Sequence, residues 1–510
     1  MSTFAYPSQV IRDAEVPLLE AGVPLMARAA GALARYAAQT LRSARGQVAG
    51  ARVCVLAGPG NNAGDALFAA AALARRGALV EVITLFDRTH VEGLTAAQRA
   101  GADVLAAGED AHTEALTALD RADLVLDGIL GTGGRRGLPG PVTALIRNWR
   151  AGDPTGAVIA VDVPSDLDTS ADTAPDTRIH ADATLTFGGL KADLVDPRAA
   201  AFTGAVDVVD IGLDLDPAEA VAEVLDIGDL IAEFPRPIAA DHKYSRGVLG
   251  VVAGSAMYPG AGVLTSGAAV NTAAGMVRYL GDGEVGDRIL DRHAEVVLAA
   301  GRIDALVVGS GDPEQGFVEA ALGAIAETTV PLVLDAGALD LVGHDEPDAN
   351  RPVVLTPHAG ELSRLLSRLL GEIITSRRVA ADPLHWARKA AAVTGHVVLL
   401  KGAQTVIACP DGFAVLPSPG PASLATAGSG DVLTGIIGTL LAAAQAGRRT
   451  RGDDGPLPAR AAAHTAGLGV LLHNAAGEVS INAEQLVAAT GTVTTALVHG
   501  PEAADGILVQ

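Results

Sequence analysis

Short runs of consecutive apolar residues recur along the chain, most of them closed by glycine, aspartate or proline. In the first half they are ARVCVLAG (51–58), LVEVITL (79–85), ADLVLDGI (122–129), AVIAVDV (157–163), ATLTF (183–187) and AVDVVDIG (205–212). Between them lie helical patterns such as AGDALFAAAALARRG (63–77). Unbroken apolar strands joined by helices predict a parallel sheet covered on both faces. Residues 1–45, rich in Ala and Leu, predict one or two helices ahead of the first strand. The stretch 213–242 is acidic, carries prolines at 235 and 237, and reads as a boundary. A second series follows at GVLGVVAGS (247–255), DALVVGSG (304–311), PLVLDAGAL (331–339), PVVLTPH (352–358) and HVVLLKG (396–402). It closes with a predicted hairpin, TVIACPDGFAVLP (405–417), and with a small-residue loop opening an apolar helix, ATAGSGDVLTGIIG (425–438). The polar stretch 447–460 predicts an exposed loop, and no internal repeat is found. The expected architecture is α/β in two domains, 1–225 and 226–510.

Composition narrows this picture. The chain has 510 residues, too many for one ordinary core, with 49% hydrophobic but only 3% aromatic residues. That mix suits closely packed layers of small side chains. A net charge of −22 without any basic block argues against nucleic acid as a partner. Cys54 and Cys409, far apart and each in a strand-like run, predict free buried thiols. The N-terminus lacks a signal pattern, and Val432–Ala444 is too short to span a bilayer and predicts a buried helix. A soluble, cytoplasmic protein without membrane partners is expected, and Ala-rich helical faces suggest a homo-oligomer.

The loops after the strands carry the candidate chemistry, as expected of parallel sheets. GPGNNAGDA (58–66) lets backbone approach a ligand closely and offers Asn61, Asn62 and Asp65. DGILGTGGRRGLPGP (127–141) is a long glycine loop beginning at Asp127, and VDVPSDLD (161–168) places Asp162 and Ser165 at another strand end. Three neighbouring tips would gather Asn62, Asp127 and Ser165, an oxygen-only set suited to a weakly held hard cation, a monovalent one included. Asp162 beside them is free to act as acid or base, or to cap a turn. In the second half, Lys243 precedes a strand, His358 ends one with Glu361 in the next helical turn, and Lys401 opens a tight turn. The loop ending in GSGD presents backbone amides at a helix start, where an anion is favoured. Asp431 inside it would face an incoming hydroxyl and accept its proton, while Ala427–Gly430 take the phosphate charge.

The motifs IRDAEVPLLEAGVPLMARAAG, GPGNNAGDA, DGILGTGGRRG, VDVPSDLD and TFGGLKADL resemble the epimerase domain of NAD(P)H-hydrate repair enzymes. The resemblance implies a Rossmann-like three-layer sandwich that interconverts the R and S forms of hydrated NAD(P)H. It implies that Asn61, Asn62, Ala63, Gly64 and Asp65, with Gly131, Thr132, Gly133, Gly134, Arg135, Arg136 and Gly137, hold the hydrated nucleotide. It also implies K+ at Asn62, Asp127 and Ser165, and Asp162 at the reacting carbon. The family's loop is commonly NNGGDG, so the methyls of Ala63 and Ala66 are expected to crowd the nucleotide. Asp166 stands where a glycine is common, and Ala27 where an acid is.

KYSRG, YPGAG, LTPHAGE, LLKG and TAGSGDVLTGIIG resemble the ADP-dependent (S)-NAD(P)H-hydrate dehydratases, within the ribokinase-like α/β fold. The resemblance implies that the chain phosphorylates the 6-hydroxyl of the hydrated ring with ADP and Mg2+. Loss of phosphate then restores the dihydronicotinamide and leaves AMP. Ala261, Gly311, His358 and Asp431 would contact the hydrate (NADHX or NADPHX). Lys401, Gly402, Ala403, Gln404, Thr405 and Gly430 would hold the adenine nucleotide. This half departs from the pattern at GSGDP (309–313) and at Gly337. A ribokinase-like small-molecule kinase whose N-terminal half only binds is the competing reading, and it would leave a stable phosphoester.

Overall fold

The computed structural model describes residues 3–106, 112–132, 137–167, 178–343 and 351–500. The chain divides into two compact units, one spanning Phe4–Val221 and one starting at Ala222.

The N-terminal unit is built on a seven-stranded sheet. Its strands are β2 (Arg52–Ala57), β3 (Leu79–Thr84), β4 (Asp103–Ala106), β5 (Leu124–Gly128), β6 (Ala157–Val161), β7 (Ala183–Phe187) and β9 (Ala205–Val209). The order is β4-β3-β2-β5-β6-β7-β9 and every pairing is parallel. Strands β5 and β7 are buried along their length because helices cover both faces, as the absence of alternation implied, whereas the edge strands β4 and β9 are partly exposed. One core lies under the helices Leu25–Arg45 and Asn61–Ala74, the other around Leu119, Ile146 and Trp149. The first 45 residues form helices Ser8–Glu20 and Leu25–Arg45, but a strand precedes them. That strand, β1 (Thr3–Tyr6), pairs in parallel with β8 (Leu190–Lys191), which buries Ala5 and Tyr6 and overrides a helical composition.

The C-terminal unit carries β10 (Ala222–Leu225), β11 (Val248–Val252), β12 (Met276–Tyr279), β13 (Ala305–Val308), β14 (Leu332–Leu334), β15 (Val353–Leu355), β16 (Val397–Leu400), β17 (Val406–Ala408) and β18 (Ala414–Pro417). Within this unit they run β12-β11-β13-β14-β15-β16-β17-β18-β10. Pairing is parallel as far as β16, and β17 lies antiparallel between β16 and β18 as the expected hairpin. The apolar helix Ser429–Thr450 lies against the sheet and the helix Pro259–Asn271. Contact is so close that a Cβ at Gly435 would fall 2.3 Å from the Thr265 carbonyl oxygen. This helix is long and apolar enough to cross a membrane by length and composition, yet 72% of its most apolar window is buried inside the protein. It also runs through residues 447–450, expected to be loop, because Arg449 near its end pairs with the buried carboxylate of Asp304. Both cysteines are buried and free, and burial pushes both thiols above their ordinary range.

Candidate active sites

In the N-terminal unit β2, β5 and β6 are neighbours, so their carboxyl-end loops converge at one edge of the sheet. There they wall a cavity of about 840 Å3, lined among others by Asn61, Asn62, Asp65, Gly131, Thr132, Gly137 and Asp162. The helix Asn61–Ala74 opens onto it from Gly60 without a side-chain cap, leaving its first amides for a ligand. Ala63 and Gly64 of the same segment do not line the cavity. The Ala63 and Ala66 methyls are fully buried in the core beneath the helix. The crowding expected of those methyls is therefore not found, because the helix turns both alanines away from the ligand side. Gly133, Gly134, Arg135 and Arg136 lie outside the described residues.

Asp127 and Ser165 are wholly buried and joined directly. The Asp127 carboxylate accepts from Ser165 Oγ at 2.6 Å and Ser165 N at 2.7 Å, and more distantly from Ile129 N at 3.3 Å. Burial raises its pKa to about 6 against the lowering effect of those bonds. Asn62 lies beside the loop that follows β5, since a Cβ on Gly131 would come 3.3 Å from Asn62 Oδ1, and its buried Nδ2 has no partner among the described residues. Asp166, one residue past Ser165, holds a left-handed backbone at φ 62°, which accounts for glycine being common there. Its Oδ1 accepts from Gly137 N at 2.9 Å and so ties down the far end of the glycine loop. The cost of the backbone strain is offset by a contact glycine could not make.

Asp162 follows β6 directly and is also left-handed, at φ 68°. It forms an ion pair of 2.6 Å with Lys191 Nζ, an ammonium only 4% exposed. Lys191 also donates to Thr186 Oγ1 at 2.9 Å and to the Phe187 carbonyl at 2.8 Å. This lysine falls inside the motif TFGGLKADL, whose pattern alone gives it no role. A lysine in an apolar strand context, just after a glycine turn, is the signal that could have found it.

The second site lies at the carboxyl ends of β11, β13, β14, β15 and β16. Gly428 at φ 87° caps the helix Ser429–Thr450 without any side-chain cap, and the first intrahelical backbone bond is Val432 N to Gly428 O. The amides of Gly430 and Asp431 thus remain open at the helix start. Lys401 stands over this mouth, with its Nζ 3.5 Å from where a Cβ on Gly430 would be. The same Nζ lies 2.8 Å from Asp335 Oδ1, and Asp335 also accepts from Thr356 Oγ1 at 2.8 Å and Ser310 Oγ at 3.0 Å. Burial foremost, then the charge of Asp335, raises the Asp431 pKa to about 6, while Lys401 and the Ser310 hydrogen bond pull it down. Underneath, His473 Nε2 meets Ser429 Oγ at 3.0 Å, and burial drops its pKa to about 4, so the ring is neutral at ordinary pH. Asp335, Ser310, Thr356 and His473 are members of this site that the sequence motifs do not single out.

Ala261 and Gly311 abut, since a Cβ on Gly311 would fall 2.4 Å from Ala261 Cβ. His358 bridges to Lys401 in the backbone, and its Nδ1 accepts from Gly360 N at 2.9 Å. With Glu361 answering to His358 N at 2.8 Å, the pair forms a capping box. The side chain is 55% exposed, and its Nε2 lies 3.5 Å from Glu361 Oε1. Gly402 and Ala403 form an exposed turn after Lys401. Among the described residues no group of three His, Cys, Asp or Glu is placed to form a metal cage.

Residues 249–497 match the family described as NAD(P)H-hydrate dehydratase, and residues 23–192 match that of the YjeF-related protein N-terminus. The bifunctional NAD(P)H-hydrate repair enzyme of Mycobacterium leprae is 40% identical over 504 residues, which is 96% of this chain and 99% of that protein. An NAD(P)H-hydrate epimerase of Microbacterium testaceum is 43% identical over 239 residues, 46% of this chain and 90% of that protein. Among solved structures, the ADP/ATP-dependent NAD(P)H-hydrate dehydratase from Bacillus subtilis, co-crystallised with ATP and Mg2+, is 26% identical. It covers 53% of this chain and 96% of its own, with a TM-score of 0.45.

Proposed function

The chain belongs to the bifunctional NAD(P)H-hydrate repair enzymes, and from that premise we propose how its two sites divide the work. The N-terminal cavity epimerises the R and S hydrates. The C-terminal site dehydrates the S hydrate at the expense of ADP. The observation that carries the second assignment is a half-buried carboxylate, Asp431, at an uncapped helix start beside an ammonium, Lys401. Asp431 takes the proton of the 6-hydroxyl as that oxygen attacks the terminal phosphorus of ADP and the bond to AMP breaks. The open amides at Gly430 and Asp431, with Lys401, hold the charge on the phosphoryl oxygens. The phosphorylated carbon then loses phosphate, the neighbouring carbon loses a proton, and the ring double bond reforms. Hydroxide is a poor leaving group and phosphate a good one, which is why the nucleotide is consumed. The Lys401–Thr405 turn and Gly430 receive the nucleotide, and Ala261, Gly311 and His358 frame the hydrate.

Mg2+ would ride on the ADP phosphates, since this ion binds through substrate oxygens and keeps several waters. K+ fits the N-terminal site: Asp127 is a buried carboxylate whose partners among the described residues are two amides and a hydroxyl, with no side-chain cation among them. A monovalent cation held by Asn62, Asp127 and Ser165 would supply the missing positive charge and fix the loops that bear them. The protein is proposed to work in the cytoplasm, as a homo-oligomer.

The test is the near-ultraviolet absorbance of dihydronicotinamide regenerated from a mixed R and S hydrate with ADP, Mg2+ and K+. Full conversion is expected, with AMP and free phosphate in equal amounts. Leaving out K+ should slow consumption of the R fraction and spare the S fraction. A stable phosphoester, or no absorbance at all, would return the kinase reading to the front. A second outcome concerns Gly311→Ala. Its left-handed φ of 71° and the 2.4 Å approach to Ala261 predict an overpacking cost of about 1–3 kcal/mol. KM for the hydrate should rise while KM for ADP stays near wild type, as steady-state kinetics on each substrate would show.

A further inference from the structure

The N-terminal cavity holds two aspartates in unlike surroundings, and the epimerase reading gives one of them, Asp65, a part in binding but none in the chemistry. Asp162 is clamped by the buried ammonium of Lys191 at 2.6 Å. Asp65 lines the same cavity from the helix Asn61–Ala74, and its Oδ1 is buried with no hydrogen-bond partner among the described residues. Glu15 and Arg12, from the helix Ser8–Glu20, face that cavity as well. Elsewhere around the helix that carries Asp65, the charged groups are already engaged. Arg28 is turned onto the Ile211 carbonyl, His90 Nδ1 accepts from Gly93 N, and Asp127 is taken up by Ser165.

The chemistry of epimerisation asks for two groups of opposite duty. The hydroxyl-bearing carbon of the hydrate is bonded to the ring nitrogen, whose lone pair can expel the oxygen. Inverting the carbon requires one proton delivered to the departing hydroxyl and one removed from a water arriving at the other face. We propose that Asp65 is the acid of this step and that Asp162, held by Lys191, is its base. The C–O bond breaks with its electron pair going to oxygen, Asp65 gives its proton, and water leaves while the nitrogen lone pair forms a C=N bond. A water then bonds to the opposite face, returning that pair to nitrogen, and its surplus proton goes to Asp162. One water is lost and one gained, with no redox change. The enzyme ends with Asp65 ionised and Asp162 protonated, ready for the reverse reaction or for proton exchange with solvent.

The surroundings support the assignment. Burial first, then the charges of Asp162 and Glu15, raises the Asp65 pKa to about 8, which keeps the acid form populated at neutral pH. One carboxyl with a buried, unpartnered oxygen and another clamped by an ammonium in the same cavity is the contrast of surroundings expected of an acid–base pair.

This rests on the epimerase reading, and the experiment separates the two. Full-length wild type and Asp65→Asn are given the mixed hydrate with ADP, Mg2+ and K+, and the R and S fractions are followed apart. In the variant the S fraction should dehydrate at the wild-type rate, and a thermal scan matching wild type should report that the unit carrying Asp65 is folded. Consumption of the R fraction should lose about 100-fold or more in kcat with KM little changed. Wild-type epimerisation should fall as pH rises through about 8, Asp65→Glu should keep a displaced limb, and Asp65→Asn should lose it. With ADP omitted, hydrate epimerised in heavy-oxygen water should carry the label. An Asp65→Asn enzyme with wild-type kcat, or with the high-pH limb intact, would overturn the role given to Asp65, and unlabelled hydrate would overturn the C–O step. If wild type never consumes the R fraction while dehydrating the S fraction, the epimerase reading itself fails and the proposal with it.

Discussion

Asp431→Asn is expected to abolish dehydration while leaving ADP binding intact and the protein at least as stable as wild type. The three effects have one source. As a base Asp431 must be ionised, and removing a positioned base typically costs about 10^2–10^4-fold in rate. Asparagine keeps the shape and leaves the Gly430 amide and Lys401 where they are, so the nucleotide keeps its contacts. Stability moves the other way because the folded protein raises this carboxyl from 3.8 to about 6. A carboxyl raised on folding binds more protons in the folded state than in the unfolded one between those values. Stability contributed by this group is therefore lost as pH rises from about 4 through 6, and at neutral pH the charged form costs on the order of 2–3 kcal/mol. Asparagine carries no charge to desolvate, so the cost disappears. Wild-type dehydration should in turn rise with pH through about 6 as the base ionises. Initial rates across pH, a nucleotide titration and a thermal scan test the set, and retained turnover in the variant would remove Asp431 from the mechanism.

Much of this site is legible in the amino-acid sequence alone, because strand-end glycines and a helix-opening GSGD are local patterns. What escapes is set by topology. Asp335 lies within LDAGAL, yet its partners Lys401, Thr356 and Ser310 come from three other strand ends. No spacing along the chain announces that meeting. Lys191 escapes for a related reason, since a lysine is ordinarily exposed and only the β1–β8 pairing and the neighbouring β6 end bury this one against Asp162. The expected crowding by Ala63 and Ala66 fails on helix phase. Sequence shows that a methyl is added, and only the packing of the helix Asn61–Ala74 shows that it points into the core. Strand β12, MVRY, escapes because Arg278 interrupts its apolar run, and that side chain reaches the Ala299 carbonyl instead of entering the core. The parallel sheets themselves are legible, since continuous burial leaves a run of apolar residues whatever the strand order.

Lys191→Met is expected to destroy epimerisation and to destabilise the N-terminal unit severely, whereas adding Asp162→Asn should restore the stability and not the activity. In the native protein the ammonium satisfies Asp162 at 2.6 Å, Thr186 and the Phe187 carbonyl, all in a place 4% exposed on the lysine side. Methionine fills similar volume but leaves a largely buried carboxylate with the Thr186 hydroxyl at 3.2 Å and the Phe187 amide at 3.4 Å. Stranding one partner of a buried pair costs about 3–5 kcal/mol, which for a unit of this size lowers its melting point by roughly 6–20 °C. The double variant buries no charge, and asparagine tolerates the left-handed backbone at 162, so most of that loss should return. Activity should not, because the base is gone and nothing replaces it. Dehydration of the S hydrate should persist in single and double variants alike, since Asp431 and Lys401 belong to the other unit. A thermal scan of wild type, Lys191→Met and the double variant together with R-fraction consumption decides the matter. If Lys191→Met melts like wild type, the ion pair is not what holds Asp162 in place. If the double variant epimerises, the proton taken from water goes to some group other than Asp162.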